Sequence, residues 1–218
     1  MNQPMITEES MNAQMTNEGG YGGQIRYLKN IVGLWLVQEC RRLWESQGKL
    51  YSYAELTEIA SKAAPYGGLI CPNDPRFLAL ADMPSTIQGY CQETGQSIPQ
   101  THGKIVRRAL ESLVLEYRWM AEQIDQLTDK RHPLNHIIGG GSQNKLLNQL
   151  TANATGRTVI AGSVEATAIG NILVQAIAVG AIGSLMEGRA IIRDTFEVET
   201  YQPKKNWIGM KPISAIST

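Results

Sequence analysis

The sequence predicts a helix-rich α/β fold whose sheet is incomplete. Short apolar runs alternate with helical patterns in the second half of the chain, which implies parallel strand pairing. The first half reads as helices almost throughout. Only two strands are convincing, at 136–138 and 158–161. Two parallel strands cannot cover their own edges, nor be buried on both faces as parallel sheets usually are. The chain therefore reads as part of something larger.

Taken in order, residues 1–24 are polar and rich in Met and Gly, with three acids (Glu8, Glu9, Glu18) and no basic residue, so an irregular segment is expected. A first helix is predicted over 27–46: Leu28, Ile31, Val32, Leu34, Trp35 and Leu36 make its start densely apolar, and Gly48 stops it. Ser52 followed by Glu55 three residues later is a capping box, opening a second helix that ends before Pro65, Gly67 and Gly68. Pro72, Asn73, Asp74 and Pro75 mark a loop, and a short helix is expected over 85–94. The longest helix is predicted over 101–129, where Val106, Leu110, Leu113, Tyr117, Met120, Ile124 and Leu127 recur at spacings of three and four. After it come the strand at 136–138, a helix over 143–154 closed by Gly156, the strand at 158–161, and helices over 165–179 and 184–195. The domain boundaries implied are an irregular segment at 1–24, one domain at 25–200 and a mobile tail at 201–218.

Composition narrows the function classes. Of 218 residues, 43% are hydrophobic, and 20 basic residues balance 20 acidic ones. A chain of this length buries roughly 70% of its unfolded surface, so neither disulfide nor metal is needed for a core. Zero net charge argues against a dedicated nucleic-acid binder. Cys40, Cys71 and Cys91 are odd in number and form no CxxC pair, which argues for reduced thiols in a cytoplasmic protein and against a zinc site. The N-terminus lacks the basic and apolar regions of a signal peptide. The apolar stretch 164–186 is long enough to span a bilayer, but Glu165, Asn171, Gln175 and its glycines mark it as a buried helix instead, so no membrane partner is expected.

The informative motif is the run from Ile137 to Asn144, IIGGGSQN. A strand delivers the chain to Gly139, Gly140 and Gly141, and a helix begins directly after. Glycines leave no side chain in a ligand's way. The first amides of a helix are unpaired and partly positive, which suits a polar or anionic ligand. Neither a Walker A sequence nor GxGxxG is present, and a NAD-binding reading is weak because the loop does not open an N-terminal βαβ unit. The same motif also serves tight packing alone, with Ser142 as the helix N-cap.

Beyond the loop, the block 136–180 closely resembles the C-terminal half of the FGGY carbohydrate kinases, in a form typical of the rhamnulokinase members of that family. TNEGG and RYLKNIVGLWLVQECRR within 16–42, CPNDPRFL at 71–78 and IPQTHGKIVRRALESLVLEYRW at 98–119 match the same family, so the resemblance covers nearly all of 5–202. It implies an actin-like, ribonuclease-H-like ATPase domain, one of two that enclose ATP. It also implies transfer of the ATP γ-phosphoryl group to O1 of L-rhamnulose in rhamnose catabolism, with Mg²⁺ neutralising charge on the phosphoryl oxygens. By resemblance, Gly139, Gly140 and Gly141 form the adenosine loop, with Gly140 the candidate for direct contact. Asn144 would sit beside the adenine, Gln38 would bind nucleotide and Asn30 would bind the sugar. Arg76 is a weaker candidate for a phosphate contact, and His102, His132 and His136 have no metal-ligand spacing. Cys91 stands where some relatives have a paired cysteine, but the partner position holds Arg108.

Family members are considerably longer two-domain chains. Their sugar-binding domain, first phosphate loop and catalytic Asp would lie upstream of Met1, and no substitute for that Asp is legible here. The expectation is a nucleotide-binding part that is inactive alone and associates through an exposed sheet edge. The alternatives are a non-catalytic actin-like scaffold or relic, or a kinase for another sugar such as fuculose or xylulose.

Overall fold

The structure is a computed structural model that describes residues 1–79 and 82–204. Five helices build the main core. α1 (Glu8–Asn12) lies near the N-terminus, followed by a hairpin of β1 (Thr16–Gly19) and β2 (Ile25–Leu28). Then come α2 (Trp35–Ser46), α3 (Tyr53–Lys62), α4 (Met83–Glu93) and the long α5 (His102–Thr128). The second half runs β3 (Leu134–Ile137), α6 (Lys145–Thr155), β4 (Thr158–Ala161), α7 (Ala166–Ala178), α8 (Leu185–Thr195) and β5 (Glu199–Tyr201).

α5 is the spine. Its apolar positions Val106, Leu110, Leu113 and Val114 are buried among Leu36, Val37 and Trp44 of α2, Leu56 of α3, Ile87 of α4 and Leu147 and Leu150 of α6. Burial of one such aliphatic side chain contributes about 1.5–3 kcal/mol. The helix starts at Thr101, whose side chain accepts from the Lys104 amide, and ends at Asp129 in the left-handed region at φ 47°. Gly103 is where α3 crosses it: a Cβ there would stand 2.6 Å from the Ile59 carbonyl oxygen. The capping box of α3 forms as its sequence requires, with Ser52 accepting from the Glu55 amide and the Glu55 carboxylate accepting from the Ser52 amide at 2.7 Å.

Polar groups sunk in this layer find partners. Arg107 and Glu111 pair at 2.6 Å one turn apart. Arg108 donates to the Gly67 and Ser97 carbonyls and to Cys91 Sγ, clamping two loops to α5.

The strands form two separate sheets. β1 and β2 pair antiparallel, turning through Gly22 and Gly23. This hairpin seats Tyr27 and Ile31 with Ala13 and Met15 against Met120, Trp119 and Ile124 of the second half of α5. β3 and β4 pair parallel, and β5 adds antiparallel to β4, giving the order β3-β4-β5 with β3 at one edge.

Four local expectations need correction. Residues 1–24 are not irregular: they hold α1 and β1. The first helix does not begin at residue 27 but at Trp35, because 25–28 pairs as β2 with the polar strand just before it in a hairpin, and that pairing overrides the apolar density. The stretch from 164 is not buried. In α7 only Leu173 is buried, packed on Gly188 of α8, while Ile172 is 64% and Val179 79% exposed. The tail assigned to 201–218 begins inside a strand, at the end of β5, and its remainder from 205 lies outside the described residues.

Candidate functional site

The glycine loop is anchored from several sides. Gly139 donates its amide to the Ser163 carbonyl at 3.1 Å, and Gly162 donates to the Ile137 carbonyl at 2.8 Å, which ties the loop to the chain leaving β4. Gly139 has φ 76° and ψ −166°, a combination essentially reserved for glycine, and this residue turns the chain out of β3. A 3-10 turn then runs through Gly140–Gln143. Ser142 is not the cap of α6: its hydroxyl donates back to the Gly139 carbonyl at 2.7 Å. The cap is Asn144, whose Oδ1 accepts from the Leu147 amide at 2.9 Å. Beneath the turn, Asn148 is fully buried and its Nδ2 donates to the Ser142 carbonyl at 2.8 Å. Sequence reading missed this brace, although a polar residue four positions after Asn144, on the face that meets the core, is its signal.

Above the loop is a cleft of about 1340 Å³. Its walls are the start of α2 (Leu34, Val37, Gln38), the outer turn of α3 (Tyr53, Ala54, Thr57, Glu58), the glycine turn and the first half of α6. Four of the six residues singled out by sequence line it: Gly140, Gly141, Asn144 and Gln38. Gln38 is exposed on α2. Gly140 decides whether the loop is open or packed shut. It has no positive φ, and a Cβ there would meet nothing within 4 Å. Neither backbone strain nor packing requires glycine at this position, so the empty space belongs to the cleft.

The other candidates fall elsewhere. Gly139 shapes the loop without lining the cleft, and Asn30 is exposed in the connection between β2 and α2, also outside the lining. Arg76 is ion-paired to Asp74 at 3.0 Å and Glu93 at 2.7 Å, and it does not line the cleft. Among the described residues, Glu58 is the one carboxylate in the lining, and it pairs with Lys62 at 2.5 Å. No group of three His, Cys, Asp or Glu side chains is placed to hold a metal ion among them. These residues do not fit a Mg²⁺ site, and no chemistry is assigned through that ion. Two lysines, Lys145 and Lys204, also line the cleft; Lys145 is held by Glu199 of β5 at 2.6 Å.

Residues 1–179 match the family model described as the FGGY family of carbohydrate kinases, C-terminal domain. The chain belongs to the FGGY carbohydrate kinases. Curated members include a rhamnulokinase of Bacteroides thetaiotaomicron, 45% identical over 201 residues, which take in 92% of this chain and 41% of that protein. A rhamnulokinase of Halalkalibacterium halodurans is 42% identical over 198 residues, 91% of this chain and 42% of the relative. The chain thus spans about two fifths of the length of the FGGY relatives it matches. A solved xylulose kinase from Rhodospirillum rubrum superposes with a TM-score of 0.59 at 18% identity, covering 88% of this chain and 38% of that one, which establishes the fold alone. The two small sheets and the helical layer are therefore an FGGY kinase domain of the actin-like type. Among the described residues no helix is long and apolar enough to cross a membrane.

Proposed function

We propose that this chain is the nucleotide-binding C-terminal part of a rhamnulokinase, holding ATP for transfer of its γ-phosphoryl group to O1 of L-rhamnulose, with ADP and L-rhamnulose 1-phosphate as products. One observation carries the reading. Gly140, Gly141, Asn144 and Gln38 come from two distant stretches of sequence and converge on one cleft, in which the space above Gly140 stands free. Backbone amides and a carboxamide around an uncluttered floor suit a nucleoside lying flat on the chain. Names of relatives at 36–45% identity support the choice of sugar, while the sugar contact assigned to Asn30 lies apart from this cleft.

Phosphoryl transfer depends on positioning and electrostatics. The cleft offers Glu58, already neutralised by Lys62, as its carboxylate, so a base to deprotonate the sugar hydroxyl would come from the remaining length of the enzyme. Mg²⁺ would arrive with the nucleotide's phosphates, as it commonly does. The test is reconstitution. This chain is mixed with a separately expressed N-terminal half of the Bacteroides thetaiotaomicron relative, and ATP-dependent phosphorylation of L-rhamnulose is followed by a coupled assay. Activity in the mixture and none in either part is expected. Silence of a mixture in which both parts are folded and associated would refute the reading and leave the scaffold role.

A further inference from the structure

We propose that Tyr53 is the ring against which the base of the bound nucleotide stacks, making it a positioning residue for the nucleoside. The inference rests on the nucleotide reading of the cleft and extends it to a residue that no sequence motif marks.

Three features single Tyr53 out. It lines the same cleft as Gly140, Asn144 and Gln38, and its side chain is 52% exposed there. The other aromatic side chains of the lining are Tyr117 and His136. Tyr117 is partly buried against the main core, where burial pushes its hydroxyl up to about 12, and His136 stands on the edge strand β3. Second, the backbone that carries the ring is held. Tyr53 is the first residue of α3, directly after the capping box of Ser52 and Glu55, so its backbone does not fray. Third, one face is already occupied. The Arg41 guanidinium lies 5.0 Å from the ring centroid, itself held by donation from Nε to the Tyr51 carbonyl at 2.6 Å. A cation on one face braces the ring and leaves the opposite face for a partner.

A purine is the partner that fits. It needs a flat apolar surface and an edge that both donates and accepts. Tyr53 and Ala54 supply the surface, and the Gln38 carboxamide supplies one donor and one acceptor, the pair that reads an adenine edge. Base–aromatic stacking of this kind is worth about tenfold or more in affinity.

The experiment is calorimetric titration of ATP and, separately, of adenosine into the 218-residue chain and its Tyr53→Ala and Tyr53→Phe variants, with thermal melts alongside. Tyr53→Ala is expected to weaken both ligands by the same factor, about tenfold. Tyr53→Phe should stay within about twofold, because the ring is retained. Both variants should melt with the parent, since the side chain is half in solvent. ATP binding unchanged in Tyr53→Ala overturns the stacking role while leaving the nucleotide reading intact, as does a loss seen with ATP and not with adenosine. No ATP binding by the unsubstituted chain overturns both.

Discussion

Gly139 and Gly140 are neighbours with opposite reasons for lacking a side chain, and substituting them separately divides fold from function. Gly139 sits at φ 76° and ψ −166°, so Gly139→Ala forces an alanine into a region essentially restricted to glycine. The cost is about 1–3 kcal/mol of stability. Gly140 has no such φ and no atom within 4 Å of a Cβ. Gly140→Ala is therefore neutral for stability, or gains about 0.5 kcal/mol through the unfolded chain. Gly140→Asp adds a carboxylate to the open cleft. A bound nucleoside would cover that carboxylate without pairing it, at a cost of about 3 kcal/mol, which is more than a hundredfold in Kd. The assay pairs denaturant melts with ATP titration for each variant. Expected are a destabilised Gly139→Ala and a Gly140→Asp of parental stability that no longer binds ATP. A Gly140→Asp chain that melts early, or that binds ATP as the parent does, would refute the assignment of that space to the ligand.

Other consequences concern the scaffold. Asp125 accepts from the His132 amide and Nδ1 and from Arg157 Nη2 at 2.7 Å, tying the end of α5 to the start of β4. Desolvation raises its pKa, but the His132 hydrogen bonds and the Arg157 charge outweigh that and hold it below the usual carboxylate range. A depressed carboxylate stabilises above its unfolded pKa of about 3.9 and loses that contribution as pH falls through the folded value. Asp125→Asn should cost about 2 kcal/mol at neutral pH, lower Tm by about 4–8 °C and shrink the pH dependence of stability below about pH 4. Arg108→Lys should cost about 2–3 kcal/mol in denaturant melts, because an ammonium cannot reach the Gly67 carbonyl, the Ser97 carbonyl and Cys91 together as the guanidinium fork does. Ile172 and Met186, 64% and 81% exposed on α7 and α8, present apolar surface to water. Ile172→Glu with Met186→Glu should shift sedimentation of the isolated chain toward the monomer without lowering its Tm.

Helices with strong periodicity were legible in the sequence because their signal is local. α5, the capping box of α3 and α6 with its left-handed Gly156 end were read to within two residues. What was not legible depends on pairing and packing rather than on local pattern. Thr16–Gly19 is too polar to announce a strand, and Ile25–Leu28 adjoins an apolar run that mimics a helix; only their mutual pairing makes them a hairpin. β5 is three residues long and exists by docking on β4. The apolar face of α7 signalled burial, yet in α7 only Leu173 is buried, where Gly188 of α8 packs on it. At the site, the glycines, Asn144 and Gln38 carried recognisable motifs, whereas Tyr53 and Asn148 did not. Their significance lies in what stands opposite them, and the sequence separates Tyr53 from Gly140 by a whole helical layer.

The most direct measurement is an experimental structure of this chain with a non-hydrolysable ATP analogue. Density for the nucleoside should lie over Gly140 and Gly141, within reach of Asn144 and Gln38. Density at any other place on the chain, or an unchanged empty cleft at saturating analogue, would contradict the account.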